Sequence, residues 1–209
     1  MDDLEHRWRT LAGTSPAAGQ AGAELLRRWR EPHRHYHDTT HLAAVLHAVD
    51  VLAQEARDLT AVRFAAWFHD AVYEGRPGAD EEASAELARE MLARLELPAD
   101  TVDEVVRLVL LTRTHDPAPG DADGAVLCDA DLSVLGGSPE QYAAYTAAVR
   151  QDYAHVGDAD FATGRIAVLE RLLTADPLFR TRTGGRAWAT RARHNMQAEL
   201  SELRARRMA

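Results

Sequence analysis

The segment from Ala61 to Tyr73 is apolar on nearly every side, and it constrains the fold more than any other part of the chain. Its polar members are Arg63, His69 and Asp70. A helix that is apolar all round is buried on all sides, so the sequence predicts a central helix here with other helices packed around it. The histidine and the aspartate near its end then need partners, because an unpaired buried carboxylate costs several kcal/mol.

Helical periodicity recurs along the rest of the chain, whereas alternating β-branched runs and Asn-Gly turns are missing from the sequence. The sequence therefore predicts about eight to ten helices, an all-α fold and a single domain over residues 1–209. Besides the central helix, the predicted helices are Leu4–Leu11, Ala17–Arg30, Thr40–Ala56, Glu82–Leu95, a segment through Val102–Val109, one opened by Ser138-Pro139, Phe161–Leu173, and Ala187–Leu203 after the breaker Gly184-Gly185.

Charge and composition argue against several classes of function. The net charge of −9 does not fit a general nucleic-acid or anionic-membrane surface. Every basic residue is an arginine, and without lysine the chain has neither Schiff-base chemistry nor a P-loop. No stretch approaches the roughly 20 apolar residues of a bilayer span, the N-terminus lacks the apolar region of a signal peptide, and Cys128 has no second cysteine to pair with. We therefore expect a cytoplasmic protein without a membrane segment.

Several predicted helices direct metal-type donors toward the interior. The donors are His41, the adjacent pair His69 and Asp70, one of Asp129 and Asp131, and His115. Two residues apart on a helix is about 200°, so only one of the last two aspartates can face a shared centre if their segment is helical. Imidazole and carboxylate together suit Mn, Fe, Co, Ni or Zn better than Ca.

These residues, in this order, resemble the signature of the HD superfamily of metal-dependent phosphohydrolases: a His, an adjacent His-Asp and a later Asp, all on helices. The strings around them are similar to a bacterial branch of that superfamily, and they are Arg34–His41, Ala66–Tyr73, Asp80–Ala85, Thr112–His115, Asp129–Gly136 and Arg191–Asn195. The resemblance covers about residues 20–205, which would form the core of an HD-type helical bundle. It implies one or two divalent metal ions held by His41, His69, Asp70 and Asp131, since the context Ala130-Asp131-Leu132 favours Asp131 over Asp129.

The resemblance implies hydrolysis of a nucleotide or another small phosphorylated metabolite, and it suggests roles for further residues. Asp70 or Glu74 would take the proton from the attacking water, because a carboxylate at about the offset of Glu74 acts as acid or base in some nucleotidases of the superfamily. We expect His37 and His115 to contact the substrate or a second metal ion. The candidates to hold the phosphate are Arg34, Arg150, Arg165 and Arg193.

Two alternatives stay open at this point. One is a nucleotide-binding regulatory HD protein without turnover. The other is an HD-type di-iron oxygenase, for which His37, Glu74 or His115 would supply an extra ligand. The sequence indicates neither a protein partner nor an oligomeric state.

Overall fold

The computed structural model describes residues 3–208, and these residues form an all-α bundle without a β-strand. This confirms the predicted fold class. Two short 3₁₀ helices, Ala53–Glu55 and Leu132–Gly136, complete the secondary structure of this part of the chain. The α-helices are α1 (Asp3–Ala12), α2 (Pro16–Trp29), α3 (Thr39–Leu52), α4 (Leu59–Phe68), α5 (Ala79–Arg94), α6 (Ala99–Leu111), α7 (Ala122–Asp131), α8 (Pro139–Asp152), α9 (Asp158–Thr174) and α10 (Arg182–Met208).

Side-chain caps fix where several of these helices begin. The carboxylate of Asp38 accepts the backbone N–H groups of Thr40 and His41 at the start of α3. Ser138 opens α8 in a capping box with Gln141, as the sequence predicts. Such caps satisfy amide groups that lack a partner within the helix. The cap on α3 matters for the site, because it sets the orientation of the first turn that carries His41.

Helix α4 is the central helix that the apolar segment predicts. Its residues from Ala61 to Phe68 are buried apart from Arg63, and it packs against α3, α6 and α7. The prediction placed its end at Tyr73, however, and the helix ends at Phe68 with His69 as its C-cap. The apolar residues continue past the helix because Ala71 and Tyr73 remain buried in the loop that follows. His69 and Asp70 thus lie at a helix end, where both side chains can reach one centre.

Gly184 and Gly185 do not break the chain, contrary to the prediction, because both lie inside α10. Gly184 is buried, and a Cβ atom there would lie 2.7 Å from both Asp129 Oδ2 and Thr181 Oγ1. This glycine is therefore required by a close approach between α10 and α7 rather than by a turn. The close packing of α10 against α7 outweighs the cost of about 1 kcal/mol that glycine has within a helix.

Two apolar clusters make up the interior. The larger one joins α1 to α7, the smaller one joins α8, α9 and α10, and Trp188 packs against both. Leu4 and Trp8 belong to the larger cluster, so the packed interior begins ahead of residue 20, where the predicted core begins. Among residues 3–208, no helix combines the length and apolar character needed to cross a bilayer.

Candidate metal centre

Three helices bring four predicted donors to one place. His41 lies in the first turn of α3, His69 caps the end of α4, Asp70 follows it, and Asp131 is the last residue of α7. Both imidazoles are almost fully buried, and the two carboxylates are partly exposed, with side-chain exposures of 19% and 15%. The donors therefore lie at the floor of an opening rather than in a sealed core.

The separations between donor atoms fit a shared divalent cation. The Nε2 atoms of His41 and His69 are 3.1 Å apart. Oδ1 of Asp131 lies 3.1 Å from His41 Nε2 and 3.7 Å from His69 Nε2. Oδ2 of Asp70 lies 3.2 Å from His69 Nε2 and 3.7 Å from His41 Nε2. Metal–ligand bonds of about 2.1 Å place neighbouring ligands about 3.0 Å apart in an octahedron and about 3.4 Å apart in a tetrahedron. The group of His41, His69 and Asp131 could therefore hold a metal ion, and Asp70 lies at similar distances from the two imidazoles.

The hydrogen bonding of His69 fixes which of its ring nitrogens faces the centre. Its Nδ1–H donates to the carbonyl oxygen of Ala66 at 2.9 Å. In the neutral ring this leaves the lone pair on Nε2, which points at the other donors. A metal-binding imidazole is usually oriented by such a hydrogen bond, from the ring nitrogen that does not bind the metal to a backbone carbonyl oxygen. The rings of Trp29 and Tyr36 pack beside the two histidines and limit their rotation.

The charges within the cluster favour a bound cation. Burial lowers the pKa of His41. Burial also opposes protonation of His69, but the carboxylates of Asp70 and Asp131 outweigh it and raise the pKa of that imidazole to about 9. Burial alone would raise the pKa of both carboxyl groups, yet the neighbouring imidazoles, His69 first, hold both well below their usual range. The protein alone thus keeps one positive charge between two carboxylates, a position that a divalent cation would occupy more favourably.

Helix ends add to this preference. Helices α4 and α7 both end at the centre, and α6 ends at Leu111, four residues before His115. The C-terminal end of a helix carries a partial negative charge from its unpaired carbonyl groups. Three such ends beside two carboxylates favour a cation over an anion at this point.

His115 extends the cluster from the side of α6. Its Nε2 lies 2.6 Å from Oδ2 of Asp131, so this carboxylate joins His115 to His41. The backbone of His115 has a φ of 53°, in the left-handed region that costs a non-glycine residue about 1–3 kcal/mol. The imidazole of His115 thus contacts Asp131 from a backbone conformation that is uncommon for a non-glycine residue.

His37 is oriented by a carboxylate from a distant part of the chain. Its Nδ1–H donates to Oδ2 of Asp152, the last residue of α8, at 2.7 Å. Oδ1 of Asp152 also accepts the backbone N–H of His35, at 2.6 Å. The ring of His37 stacks on Tyr73 with a centroid distance of 4.1 Å. His37 therefore keeps a fixed orientation, with Nε2 left for a ligand.

Glu74 and Asp129 were candidates from the sequence, but their carboxylates do not reach the metal centre. Glu74 is exposed and is not among the residues that line the pocket beside Asp70. Asp70 and Glu74 would share one helix face if the chain there were helical, but α4 ends at Phe68. The backbone N–H of Glu74 instead donates to the carboxylate of Asp80. Asp129 is buried elsewhere, where it accepts the backbone N–H groups of Arg180 and Thr181 and the Thr181 hydroxyl. The structure thus brings Asp131 to the centre and uses Asp129 to hold the start of α10.

The four arginines expected to bind phosphate are bound to other groups. Arg34 is fully buried, and it donates to the carbonyl oxygens of His37, Asp70 and Ala71 and to Glu31. It fastens the loop before α3 to the end of α4. The remaining three bind protein groups as follows: Arg150 the carbonyl oxygens of Tyr153 and Val156, Arg165 the carboxylate of Glu199, and Arg193 the carbonyl oxygens of Leu173 and Ala175.

Two cavities of different character open from Asp131. The smaller one has a volume of about 150 Å³, and His37, Asp70, Arg76 and His115 contribute to its polar wall. The larger one has a volume of about 580 Å³ and also reaches His41. A ligand at the metal centre can therefore extend in two directions.

Sequence reasoning missed Asp152, the carboxylate that orients His37. It is 115 residues away from its partner in the chain and lies at the end of an ordinary amphipathic helix. No motif marks it, because its role depends on the way α8 returns to the loop before α3. Tyr145 of α8 also belongs to this region, because its ring packs on that of Tyr36 with a centroid distance of 4.7 Å.

The chain was compared with models of protein families, with curated proteins and with solved structures, and none of them matches it. The chemistry of the centre is therefore inferred from its own donor atoms. The two imidazoles and the carboxylate of Asp131, with Asp70 and polar space beside them, could hold a metal ion.

Proposed function

We propose that the protein is a metal-dependent phosphohydrolase of the HD type that acts on a small phosphorylated metabolite. The observation that carries the proposal is the cluster of His41, His69 and Asp131, whose donor separations of 3.1–3.7 Å suit one divalent ion, with Asp70 Oδ2 at 3.2 and 3.7 Å from the two imidazoles. The order of these residues in the chain, and the helices that carry them, agree with the resemblance to the HD superfamily. Mn, Fe, Co, Ni and Zn all suit this mixed nitrogen and oxygen donor set.

A divalent ion at this centre would lower the pKa of a water molecule and offset the negative charge of a phosphoryl group. The protein residues around the smaller cavity supply the other requirements. Asp70 lines that cavity, so its carboxylate lies where it could accept a proton from water. His37 lines the same cavity, and its fixed ring can donate a proton to the leaving oxygen or a hydrogen bond to a phosphoryl oxygen.

His115 and Asp131 form the supporting part of the site. The bond of 2.6 Å between His115 Nε2 and Asp131 Oδ2 leaves Oδ1 of that carboxylate turned toward His41 and His69. His115 therefore orients a ligand group and also presents its ring edge to the smaller cavity. Ligand-orienting partners of this kind commonly change metal affinity or activity by 10- to 100-fold when they are removed.

The test is phosphate release by protein that has been stripped of metal and reloaded with Mn, Fe, Co, Ni or Zn in separate samples. The substrates are simple phosphomonoesters and nucleoside mono-, di- and triphosphates. We expect at least one metal to support turnover, and Asp70→Ala to abolish it together with metal binding, as measured by elemental analysis. Asp160→Ala, which removes an exposed carboxylate on α9, is the matched control and should retain full activity.

Other outcomes would replace the proposal. Tight nucleotide binding without phosphate release under any metal would indicate the regulatory protein without turnover. Two bound irons with consumption of O₂ would indicate the oxygenase. Unchanged phosphate release by Asp70→Ala would show that the centre is not the site of hydrolysis.

A further inference from the structure

The larger cavity differs in chemistry from the smaller one, although both begin at Asp131. It lies between α3, α8 and α10, with the 3₁₀ helix Leu132–Gly136 as part of its wall, and its volume of about 580 Å³ is in the range of cavities that hold whole organic ligands. His41 and Asp131 border it, so a group bound there would be continuous with a group at the metal centre.

Small apolar side chains from two helices line this cavity together with three aromatic rings. Ala44 and Ala48 of α3 lie on one side, and Ala144 and Ala148 of α8 lie on the other. Alanines leave space where larger side chains would bring two helices into contact. The aromatic rings in the wall are those of Tyr36, Tyr145 and Trp188.

The cavity offers few groups that would bind a second negative charge: one arginine and the exposed imidazoles of His35 and His47, besides His41 at the metal centre. Among the described residues that line it, Arg191 is the one arginine, and its Nε–H donates to the carbonyl oxygen of Gly136. Asp38 and Asp131 contribute carboxylates to the same wall. Tight binding of a phosphate chain needs several cationic or backbone N–H donors directed at its oxygens. A diphosphate or triphosphate chain therefore fits this cavity poorly, whereas an uncharged apolar group fits it well.

From this contrast we propose that the substrate is a phosphomonoester of a hydrophobic alcohol or phenol, with its apolar group in the larger cavity. The inference rests on the proposed function and makes its substrate class specific. The phosphoryl group would lie at the metal centre and against the smaller cavity, where His37, Arg76 and His115 offer polar contacts. The organic part would then extend between α3 and α8.

The experiment compares two hydrolysis-resistant probes, 1-naphthylmethylphosphonate and methylphosphonate, on metal-loaded protein by calorimetry. Burial of roughly 100 Å² of apolar surface corresponds to about fiftyfold in affinity, so the naphthyl probe should bind about fiftyfold more tightly. Ala144→Leu narrows the cavity from the side of α8, and Ala44→Leu does so from the side of α3. Each should weaken binding of the naphthyl probe at least tenfold and leave methylphosphonate within twofold.

The matched control is Ala147→Leu, which adds the same side chain to an exposed position of α8 outside the cavity. It should leave the affinity of both probes unchanged. Equal affinity for the two probes, or equal effects of Ala144→Leu and Ala147→Leu, would overturn the inference.

Phosphate release from 1-naphthyl phosphate and methyl phosphate separates this result from the proposed function. If neither ester is hydrolysed but the naphthyl probe binds in the expected pattern, the cavity assignment holds and hydrolysis is wrong. If both esters are hydrolysed at the same kcat/KM, hydrolysis holds and the substrate class is wrong.

Discussion

Raising the pH from 6.5 to 9 is expected to destabilise the metal-free protein by about 3 kcal/mol through His69. Burial opposes protonation of this imidazole, but Asp70 and Asp131 outweigh burial and raise its pKa to about 9. In the unfolded chain its pKa returns to about 6.5. Between these two values the folded state binds more protons than the unfolded state, so the free energy of unfolding falls as the pH rises. A difference of about 2.5 pKa units, at about 1.4 kcal/mol each, gives the stated magnitude.

The other charged groups of the centre do not obscure this effect. The pKa values of Asp70 and Asp131 lie well below their usual range, so both stay ionised throughout. The pKa of His41 is lowered, which keeps that ring neutral. The stabilisation from His69 is complete below pH 6.5 and is lost as the pH passes through 9. It is a large share of the 5–15 kcal/mol that holds an ordinary domain folded.

The assay is urea unfolding in the presence of a chelator at pH 6.5, 7.5 and 9, followed by far-ultraviolet circular dichroism. Asp70→Asn removes the carboxylate whose charge raises the pKa of His69 most and should shrink the loss by more than half. His194→Gln, an exposed position on α10, should leave the loss unchanged. A free energy of unfolding that is constant to within about 0.5 kcal/mol across this range would refute the reasoning, because a loss of about 3 kcal/mol exceeds the error of the extrapolation.

Four substitutions test other parts of the structure. Asp152→Asn weakens the bond that orients the imidazole facing the smaller cavity, and it should lower kcat for phosphate release about 10- to 100-fold with metal content unchanged by elemental analysis. Glu199→Gln leaves the buried guanidinium of Arg165 without its charged partner and should cost about 3 kcal/mol in urea unfolding. Gly184→Ala places a methyl group 2.7 Å from two oxygen atoms and should cost about 2 kcal/mol in the same assay, whereas Gly185→Ala, with nothing within 4 Å, should stabilise the helix by up to about 1 kcal/mol.

Apolar periodicity was enough to predict the fold class and most helices, because α2, α3, α5, α6 and α9 each bury one face of a regular repeat. Apolar periodicity failed to predict the structure where the pattern of buried residues does not follow the backbone conformation. The apolar run from Ala61 continues past the end of α4, since a loop can be buried as well as a helix. Gly184 lies within α10 because a contact from α7, distant in sequence, decides the residue at that position.

The donors of the centre were predictable because each is a polar residue on an otherwise apolar helix face or helix end. His41, His69 and Asp131 are examples, and the structure brings them together. Glu74 was predicted from the resemblance to nucleotidases of the superfamily, and it lies exposed in a loop outside the lining of the smaller cavity. Asp152 could not be predicted, because nothing in the neighbouring sequence distinguishes it and only tertiary packing brings it to its partner His37.

Helix α8 contributes residues to both cavities that open from Asp131, or to their supports. Ala144 faces the larger cavity, and Asp152, eight residues further along the same helix and about 12 Å away, holds His37. A helix of this length moves as a stiff rod, so a displacement at one end is transmitted to the other. Under the proposed function, a group that fills the larger cavity and displaces α8 would therefore also shift the imidazole of His37 beside the smaller cavity.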